Sequence, residues 1–258
     1  MSLGFNGDVV DFYQKYRRGY PAEAITTITG KFSLTHNDIA LDLGCGTGLL
    51  TRPLAETVRA VIGMDPEPDM LARARQEGGT NITWMLGADT DIPKLTAVLG
   101  ERSIGAVTIG QALHWMDHDT LLHALFPLIR PGGGVAVVTN GTPLWLHDNP
   151  WSKSLRASVE HWLGHKTTLT CGSDAEAQQR YAESLRANGF TVDTDTVEYE
   201  DELTIDEIVG GMYSALPPSK LPTPEQRPVL AGQIQRALEH DGPFIEHVRV
   251  TVLTGQVP

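Results

Sequence analysis

The chain has 258 residues, of which 41% are hydrophobic and 20% are charged, a length sufficient for one large domain with a full core. The net charge of −12 disfavours nucleic acid as a partner, because phosphate backbones are bound by clustered Lys and Arg. Two cysteines, no membrane-length apolar run and no signal-peptide pattern predict a cytoplasmic protein without disulfides or a membrane partner. The oligomeric state is left open.

The first 30 residues are predicted to form a helical lid over the rest of the chain. Apolar residues at helical spacing between Val9 and Tyr16 predict a helix, which Gly19 and Pro21 end. A second helix is predicted over residues 21–32, with its proline in the first turn.

Residues 39–51 (IALDLGCGTGLLT) read as a strand, a glycine turn and a helix, which together form a nucleotide-binding unit. The glycines stand at 44, 46 and 48, whereas the dinucleotide fingerprint requires glycine where Leu49 stands, which counts against NAD. A second strand, residues 60–65, ends in Asp65, where a carboxylate can accept both hydroxyls of an adenosine ribose.

Five further strands are predicted along the chain. They cover residues 82–86, 104–110, 135–140, 192–199 and a closing strand around 248–252. Helices are predicted between them, with Asp117 capping one and Ser173 capping another. The fold class is therefore a Rossmann-like α/β fold: a seven-stranded, mostly parallel sheet with an antiparallel closing strand, helices on both faces and an inserted helical cap.

The cap is predicted from two stretches that exceed what a minimal core needs. Residues 141–172 and 200–242 are assigned as insertions over the acceptor site, within a single domain of residues 1–258. Trp145, Trp151 and His147 of the first insertion are predicted to line the acceptor pocket, although the helical spacing of the tryptophans suits a core face equally well.

The motifs LDLGCGTG and GMDPEPDML, followed by Gly87-Ala88-Asp89-Thr90, resemble those of the class I S-adenosylmethionine (SAM) dependent methyltransferases. The resemblance implies that residues 31–140 form the SAM-binding core and that S-adenosylhomocysteine is the product. It places Gly44, Cys45 and Gly46 along the methionine part of SAM, Asp65 on the ribose, and Asp89 with Thr90 at the adenine. Met70 is assigned to the adenine, with a core position as the alternative.

Two segments, YRRGYP at residues 16–21 and QALHW at 111–115, resemble trans-aconitate-methyltransferase-like enzymes. This resemblance implies that Tyr16 and Arg17 close over the cofactor, with Arg17 on the SAM carboxylate; a solvated helix end is the alternative for Arg17. Gln111, His114 and Trp115 follow a strand at its carboxyl end, where ligands bind in parallel sheets, and Gln111 is assigned to the cofactor. His114 is the predicted catalytic base and Trp115 a predicted wall of the acceptor site, with loop hydrogen bonding and packing as their alternatives.

Acidic residues are frequent in and beside the predicted cap, and a cationic acceptor would be attracted to them. The sharpest hypothesis is therefore N-methylation of a small cationic acceptor such as an aminoglycoside, in natural-product (antibiotic) biosynthesis. O-methylation of a carboxylate or hydroxyl, a non-catalytic SAM-binding module, and acidity that serves only solubility are the alternatives. The pairs His114/His118 and His161/His165 have metal-binding spacing but no specified third ligand, so no metal is predicted.

Overall fold

The computed structural model describes residues 4–167 and 170–258. It contains a seven-stranded sheet whose strands are β1 (Ile39–Leu43), β2 (Ala60–Asp65), β3 (Ile82–Leu86), β4 (Ile104–Gly110), β5 (Ile129–Asn140), β6 (Thr191–Leu203) and β7 (Phe244–Gln256). The order across the sheet is β3-β2-β1-β4-β5-β7-β6. Strand β7 runs antiparallel to both of its neighbours, whereas the pairs from β3 to β5 are parallel. The predicted sheet is confirmed, although β6 and β7 are longer than predicted because they pair along their whole length.

The described residues form ten α-helices. These are α1 (Asp8–Tyr16), α2 (Ala22–Lys31), α3 (Thr51–Ala55), α4 (Pro68–Gln76), α5 (Ile92–Leu99), α6 (His118–Leu125), α7 (Pro150–Leu163), α8 (Ala175–Ala187), α9 (Ile205–Tyr213) and α10 (Arg227–Leu238). Asp117 caps α6 as predicted, because its side chain accepts a hydrogen bond from Thr120 N. The cap predicted at Ser173 is wrong: Asp174 accepts from Ala177 N and caps α8, while Ser173 bonds to the Thr170 carbonyl.

Each face of the sheet is covered by its own hydrophobic cluster. Alternate residues of β1 separate the two clusters, since Leu41 and Leu43 face one and Ala40 faces the other. The first cluster includes Leu122 and Leu185 of α6 and α8, and the second includes residues of α2 and α3. Helices on both faces are therefore confirmed.

A third hydrophobic cluster lies among the helices of the two stretches that the sequence marks as insertions. It joins Leu155 of α7, Ile208 of α9 and Ile234 of α10, each completely buried. Phe12 of α1 packs against the same cluster, edge-to-face with Tyr213. Within the described ranges, no helix combines the length and apolarity that crossing a membrane requires.

Candidate functional site

The glycine turn after β1 lies between the end of β2 and the segment that follows β4. Gly44 N and Cys45 N both donate to the Met64 carbonyl, at 2.8 and 3.1 Å. Gly44 has a φ of +72°, and a Cβ there would lie 2.5 Å from the Ala112 Cβ. Any larger residue would therefore separate the turn from the strand-end segment, which explains the glycine in physical terms.

Asp65 fixes the turn from the end of β2. Its two carboxylate oxygens accept hydrogen bonds from Gly46 N at 2.8 Å and Glu67 N at 2.9 Å. Burial raises the pKa of Asp65 to about 6, against the lowering effect of these two bonds. A carboxylate has about four lone-pair sites, so two remain for further donors such as ribose hydroxyls.

A second buried acid, Asp42 of β1, was not singled out from the sequence. It accepts hydrogen bonds from the hydroxyls of Thr51, at 2.5 Å, and Thr108, at 2.7 Å. Burial raises the pKa of Asp42 to about 6. A single acid in the apolar run IALDL is the signal that could have identified it.

The loop after β3 is joined to the same strand end. Gly87 N donates to the Asp65 carbonyl at 3.2 Å, and the one-turn 3-10 helix Asp89–Asp91 follows. Asp89 is half-buried and Thr90 exposed, whereas Met70 of α4 is 2% exposed, as its core alternative requires. The structure thus brings the Asp89 loop beside Asp65.

Helix α1 covers the glycine turn, and it presents Tyr13 there rather than Tyr16. A Cβ at Gly46 would meet the ring of Tyr13 at 3.8 Å. The ring of Tyr16 instead packs on Gly210 of α9, and its hydroxyl donates to Asp206 at 2.9 Å. The prediction that Tyr16 covers the cofactor is therefore corrected: Tyr13 occupies that place.

The Arg17 guanidinium lies over the ring of Tyr13, with its central carbon 5.5 Å from the centre of that ring. Its Nε is buried and has no hydrogen-bond partner, and no carboxylate pairs with its guanidinium among the described residues. A buried, unpaired guanidinium nitrogen is costly unless an anion satisfies it. This environment does not fit the alternative of a solvated helix end, and it suits a carboxylate ligand.

The predicted residues after β4 lie together at the carboxyl end of that strand. Gln111 adopts a φ of +53°, and its buried Oε1 has no hydrogen-bond partner. His114 is half-buried, its ring has no hydrogen bond within the described ranges, and burial lowers its pKa below the usual range. Trp115 is 50% exposed, with its ring 4.9 Å from that of His114.

Gln111 and His114 line a small pocket together with Thr139, Cys171 and Tyr181. Its volume of about 10 Å³ holds about one water molecule. This pocket is too small to hold an acceptor. Cys171 and Tyr181 were not predicted as site residues, because they are far from the motifs in sequence and nothing local marks them.

The three residues assigned to the acceptor pocket from the first insertion are not among those that line the small pocket. Trp145 and Trp151 are 7% and 2% exposed in the third hydrophobic cluster, where Trp151 Nε1 donates to the Ile245 carbonyl at 3.1 Å. His147 Nε2 lies 3.3 Å from Glu246 of β7. The assignments of Trp145 and Trp151 are corrected, since both are buried in the cluster that α7 shares with α9 and α10, whereas the assignment of His147 stays a prediction.

The acids of the predicted cap are largely engaged by neighbouring residues. Asp148 pairs with Lys153 at 2.6 Å, Glu200 with His247 at 3.0 Å, and Asp174 caps α8. His118, the partner of His114 in the suggested metal pair, lies 3.1 Å from the Ser184 hydroxyl. In the part of the chain that the structure describes, no group of three His, Cys, Asp or Glu is arranged to hold a metal.

Comparison with known proteins matches the segment that carries the glycine turn, Asp65 and His114. Residues 40–133 match the family model described as a methyltransferase domain. An uncharacterized methyltransferase of Mycobacterium tuberculosis is 36% identical over 140 residues, which are 54% of this chain and 53% of that protein. An uncharacterized methyltransferase of Schizosaccharomyces pombe is 27% identical over 190 residues, covering 72% of this chain and 68% of that protein.

The fold has close counterparts among solved structures. A protein of Anaeromyxobacter dehalogenans to which type II methyltransferase activity is ascribed superposes with a TM-score of 0.60 at 20% identity, covering 94% of this chain and 99% of that one. A precorrin 8w decarboxylase of Methanobacterium thermoautotrophicum gives 0.53 at 19% identity, with 94% of both chains covered. Residues 40–133 therefore resemble a methyltransferase domain, and the whole chain has a Rossmann-like fold. It spans about half the length of the Mycobacterium relative that it matches.

Proposed function

We propose that this protein is a SAM-dependent methyltransferase acting on a small-molecule acceptor. The observation that carries the proposal is a set of groups at one edge of the sheet: a glycine turn bound to Asp65, Tyr13 beside that turn, and Arg17 with an unpaired Nε next to the Tyr13 ring. These groups suit the three parts of SAM, since the turn admits the chain of the molecule, the carboxylate accepts ribose hydroxyls and the guanidinium binds a carboxylate.

The residues present fit the cofactor, and each has a distinct task. Gly44, Cys45 and Gly46 would lie along the methionine part, with Arg17 on its carboxylate and Tyr13 above it. Asp65 would hold the ribose, and the loop with Asp89 would face the adenine. When bound, SAM supplies a methyl group on a positively charged sulfur.

His114 is positioned to prepare the acceptor. Its lowered pKa keeps the imidazole neutral at pH 7, and its ring has no hydrogen bond among the described residues, so it is free to accept a proton. Methyl transfer otherwise requires alignment and exclusion of water. Gln111 and Tyr181 line the same small pocket as His114, and the Trp115 ring packs beside the imidazole.

For the acceptor we propose an amino group on a cationic small molecule such as an amino sugar, in natural-product biosynthesis. The net charge of −12 supports this class through long-range attraction. The engaged cap acids give it no local support, so O-methylation of a hydroxyl or carboxylate is the competing proposal. A SAM-binding protein without catalysis is the third.

The test is transfer of labelled methyl from SAM to a panel of matched acceptors. Amino sugars are paired with their deaminated hydroxyl analogues, and small carboxylates are included. Label on the amino sugars alone supports N-methylation, and label on the hydroxyl or carboxylate compounds replaces it with O-methylation. Binding of SAM with no transfer to any natural-product fraction would favour the non-catalytic role.

A further inference from the structure

A buried charged cluster lies where the end of α1 meets the start of β7. Glu246 has a side chain only 2% exposed, and it pairs with Arg18 and with His147 Nε2, the latter at 3.3 Å. Asp201 of β6 lies 3.8 Å from the same guanidinium. A carboxylate this deeply buried is tolerated only when its charge is compensated, so the cluster holds Arg18 firmly.

The backbone next to Arg18 is held as well. The Asn140 side chain, at the end of β5, donates to the carbonyl oxygens of Arg18 and Gly19, at 3.4 and 3.1 Å. Farther along, the Tyr20 ring packs on Gly110 at the end of β4. The segment that connects α1 to α2 is thus fixed across the carboxyl ends of β4 and β5 and the amino end of the antiparallel β7.

The two arginines of this segment leave the chain on opposite sides. Arg17 follows the last residue of α1 and has extended backbone angles, φ −77° and ψ 127°. Successive side chains of extended backbone point in opposite directions. Arg18 therefore reaches the buried Glu246, while Arg17 reaches Tyr13, with its Nε buried and unpaired.

We propose that Glu246 is a positioning residue for cofactor binding, which anchors Arg18 and thereby directs Arg17 at the carboxylate of the cofactor. The inference rests on the proposed function, because it needs SAM or its product as the ligand. It assigns a role to an acid that makes no contact with the glycine turn and that lies on a strand outside the matched segment 40–133.

The test compares two probes that differ in the amino-acid part. S-adenosylhomocysteine carries the carboxylate, and 5′-methylthioadenosine keeps the adenosine and the sulfur but lacks it. Glu246→Gln should weaken S-adenosylhomocysteine about tenfold, the loss of one charge-assisted contact, and leave 5′-methylthioadenosine within about twofold. Calorimetry on the full chain measures both affinities.

A double-mutant cycle with Arg17→Met tests whether Glu246 affects the affinity for S-adenosylhomocysteine through Arg17. If Glu246 acts through Arg17, adding Glu246→Gln to Arg17→Met should cause little further loss for S-adenosylhomocysteine. Glu198→Gln is the matched control, because it breaks an exposed ion pair with Arg249 between β6 and β7. It should leave the affinities for both probes unchanged. Additive losses in the cycle would overturn the proposal.

A second variant serves as the control for misfolding, because it removes both charges of the Arg18–Glu246 pair and so leaves neither of them buried without the other. Arg18→Met combined with Glu246→Gln removes both, which is better tolerated than removing one, and it should show the same selective loss. Equal weakening of both probes in this folded variant would refute the positioning role alone. Absence of S-adenosylhomocysteine binding by the unmutated protein would instead refute the proposed function.

Discussion

At the scale of single residues, the site is built on two buried carboxylates. Asp42 lies within β1 and Asp65 at the end of β2, and burial raises the pKa of each to about 6. Between about pH 4 and pH 6 the native protein binds protons that the unfolded chain has released. Each group therefore lowers the free energy of unfolding as the pH rises through this interval.

Asp42→Asn should remove one of these pH-dependent contributions. A shift of about two pKa units corresponds to a destabilisation of about 3 kcal/mol. This destabilisation is absent below the unfolded pKa of 3.8, where the carboxyl is neutral in both states, and is complete above about pH 6. Urea unfolding of both proteins at pH 4 and pH 7 measures it. Between these two pH values, the free energy of unfolding of the variant should rise by about 2.5 kcal/mol relative to that of the unmutated chain. A difference that is independent of pH would contradict the assigned burial effect.

His114→Asn should separate catalysis from cofactor binding. If the imidazole accepts a proton from the acceptor, turnover should fall by about a hundredfold or more while affinity for S-adenosylhomocysteine stays within about twofold. In the unmutated enzyme the rate should fall with decreasing pH only below the ordinary pKa of histidine, because burial lowers that of His114. Parallel losses of turnover and affinity would indicate a packing role.

At the scale of elements, the glycine turn depends on close packing as well as on backbone angle. Gly44 and Gly78 both have positive φ, at +72° and +85°, but a Cβ meets Ala112 at Gly44 and nothing within 4 Å at Gly78. Gly78→Ala therefore measures only the cost of positive φ in a residue with a Cβ, which should lower the free energy of unfolding by about 1–2 kcal/mol. Gly44→Ala should cost about 1–3 kcal/mol more in urea unfolding. Equal costs would mean that the turn moves freely away from the segment after β4.

The sheet, and the meeting of the glycine turn with Asp65 at one edge of it, could be predicted because their signals are local. Strand β1, the glycine turn and Asp65 are specified by apolar runs and short spacings, and parallel pairing then brings them to one edge. Local sequence patterns also mark two buried acids that the sequence analysis did not single out. Asp42 interrupts an apolar strand. Glu246 stands two residues before Val248 and four before Val250, so it lies on the same, buried face of β7 as these valines.

Long-range packing explains what the sequence did not predict. Tyr13 and Tyr16 lie three residues apart on α1, so helical spacing does not decide which one faces the turn. Contacts of Tyr16 with Asp206 and Gly210, almost 200 residues away, decide it. The helical spacing of Trp151 and its neighbours on α7 is likewise compatible with a pocket or a core. Packing with α9 and α10 decides for the core.

At the scale of the whole molecule, the third hydrophobic cluster joins α7, α9 and α10, and α1 connects it to the glycine turn. Gly7 N of the N-terminal segment donates to Asp69 of α4, while Arg227 of α10 pairs with Asp8 at 2.5 Å. Helix α1 thus contacts both the sheet core and the insertions.

The buried and the exposed tryptophan should respond differently to truncation. Trp151→Ala should cost about 3–5 kcal/mol of stability, because it empties a buried site and leaves the Ile245 carbonyl unpaired. Trp115→Ala, at a position 50% exposed, should cost less than about 1 kcal/mol and should raise the KM of the acceptor. Chemical denaturation and steady-state kinetics measure these effects. A stable Trp151→Ala with altered acceptor KM would restore that residue to the acceptor pocket.

The most direct test of the account is calorimetric titration of the protein with S-adenosylhomocysteine at pH 7, compared with Asp65→Asn and with the exposed control Asp148→Asn. The unmutated protein and the control should bind one molecule with equal affinity. Asp65→Asn should bind about 10- to 100-fold more weakly, since an amide cannot accept from both ribose hydroxyls while holding Gly46. No binding by the unmutated protein, or unchanged affinity in Asp65→Asn, would contradict the assignment of this edge of the sheet as a SAM site.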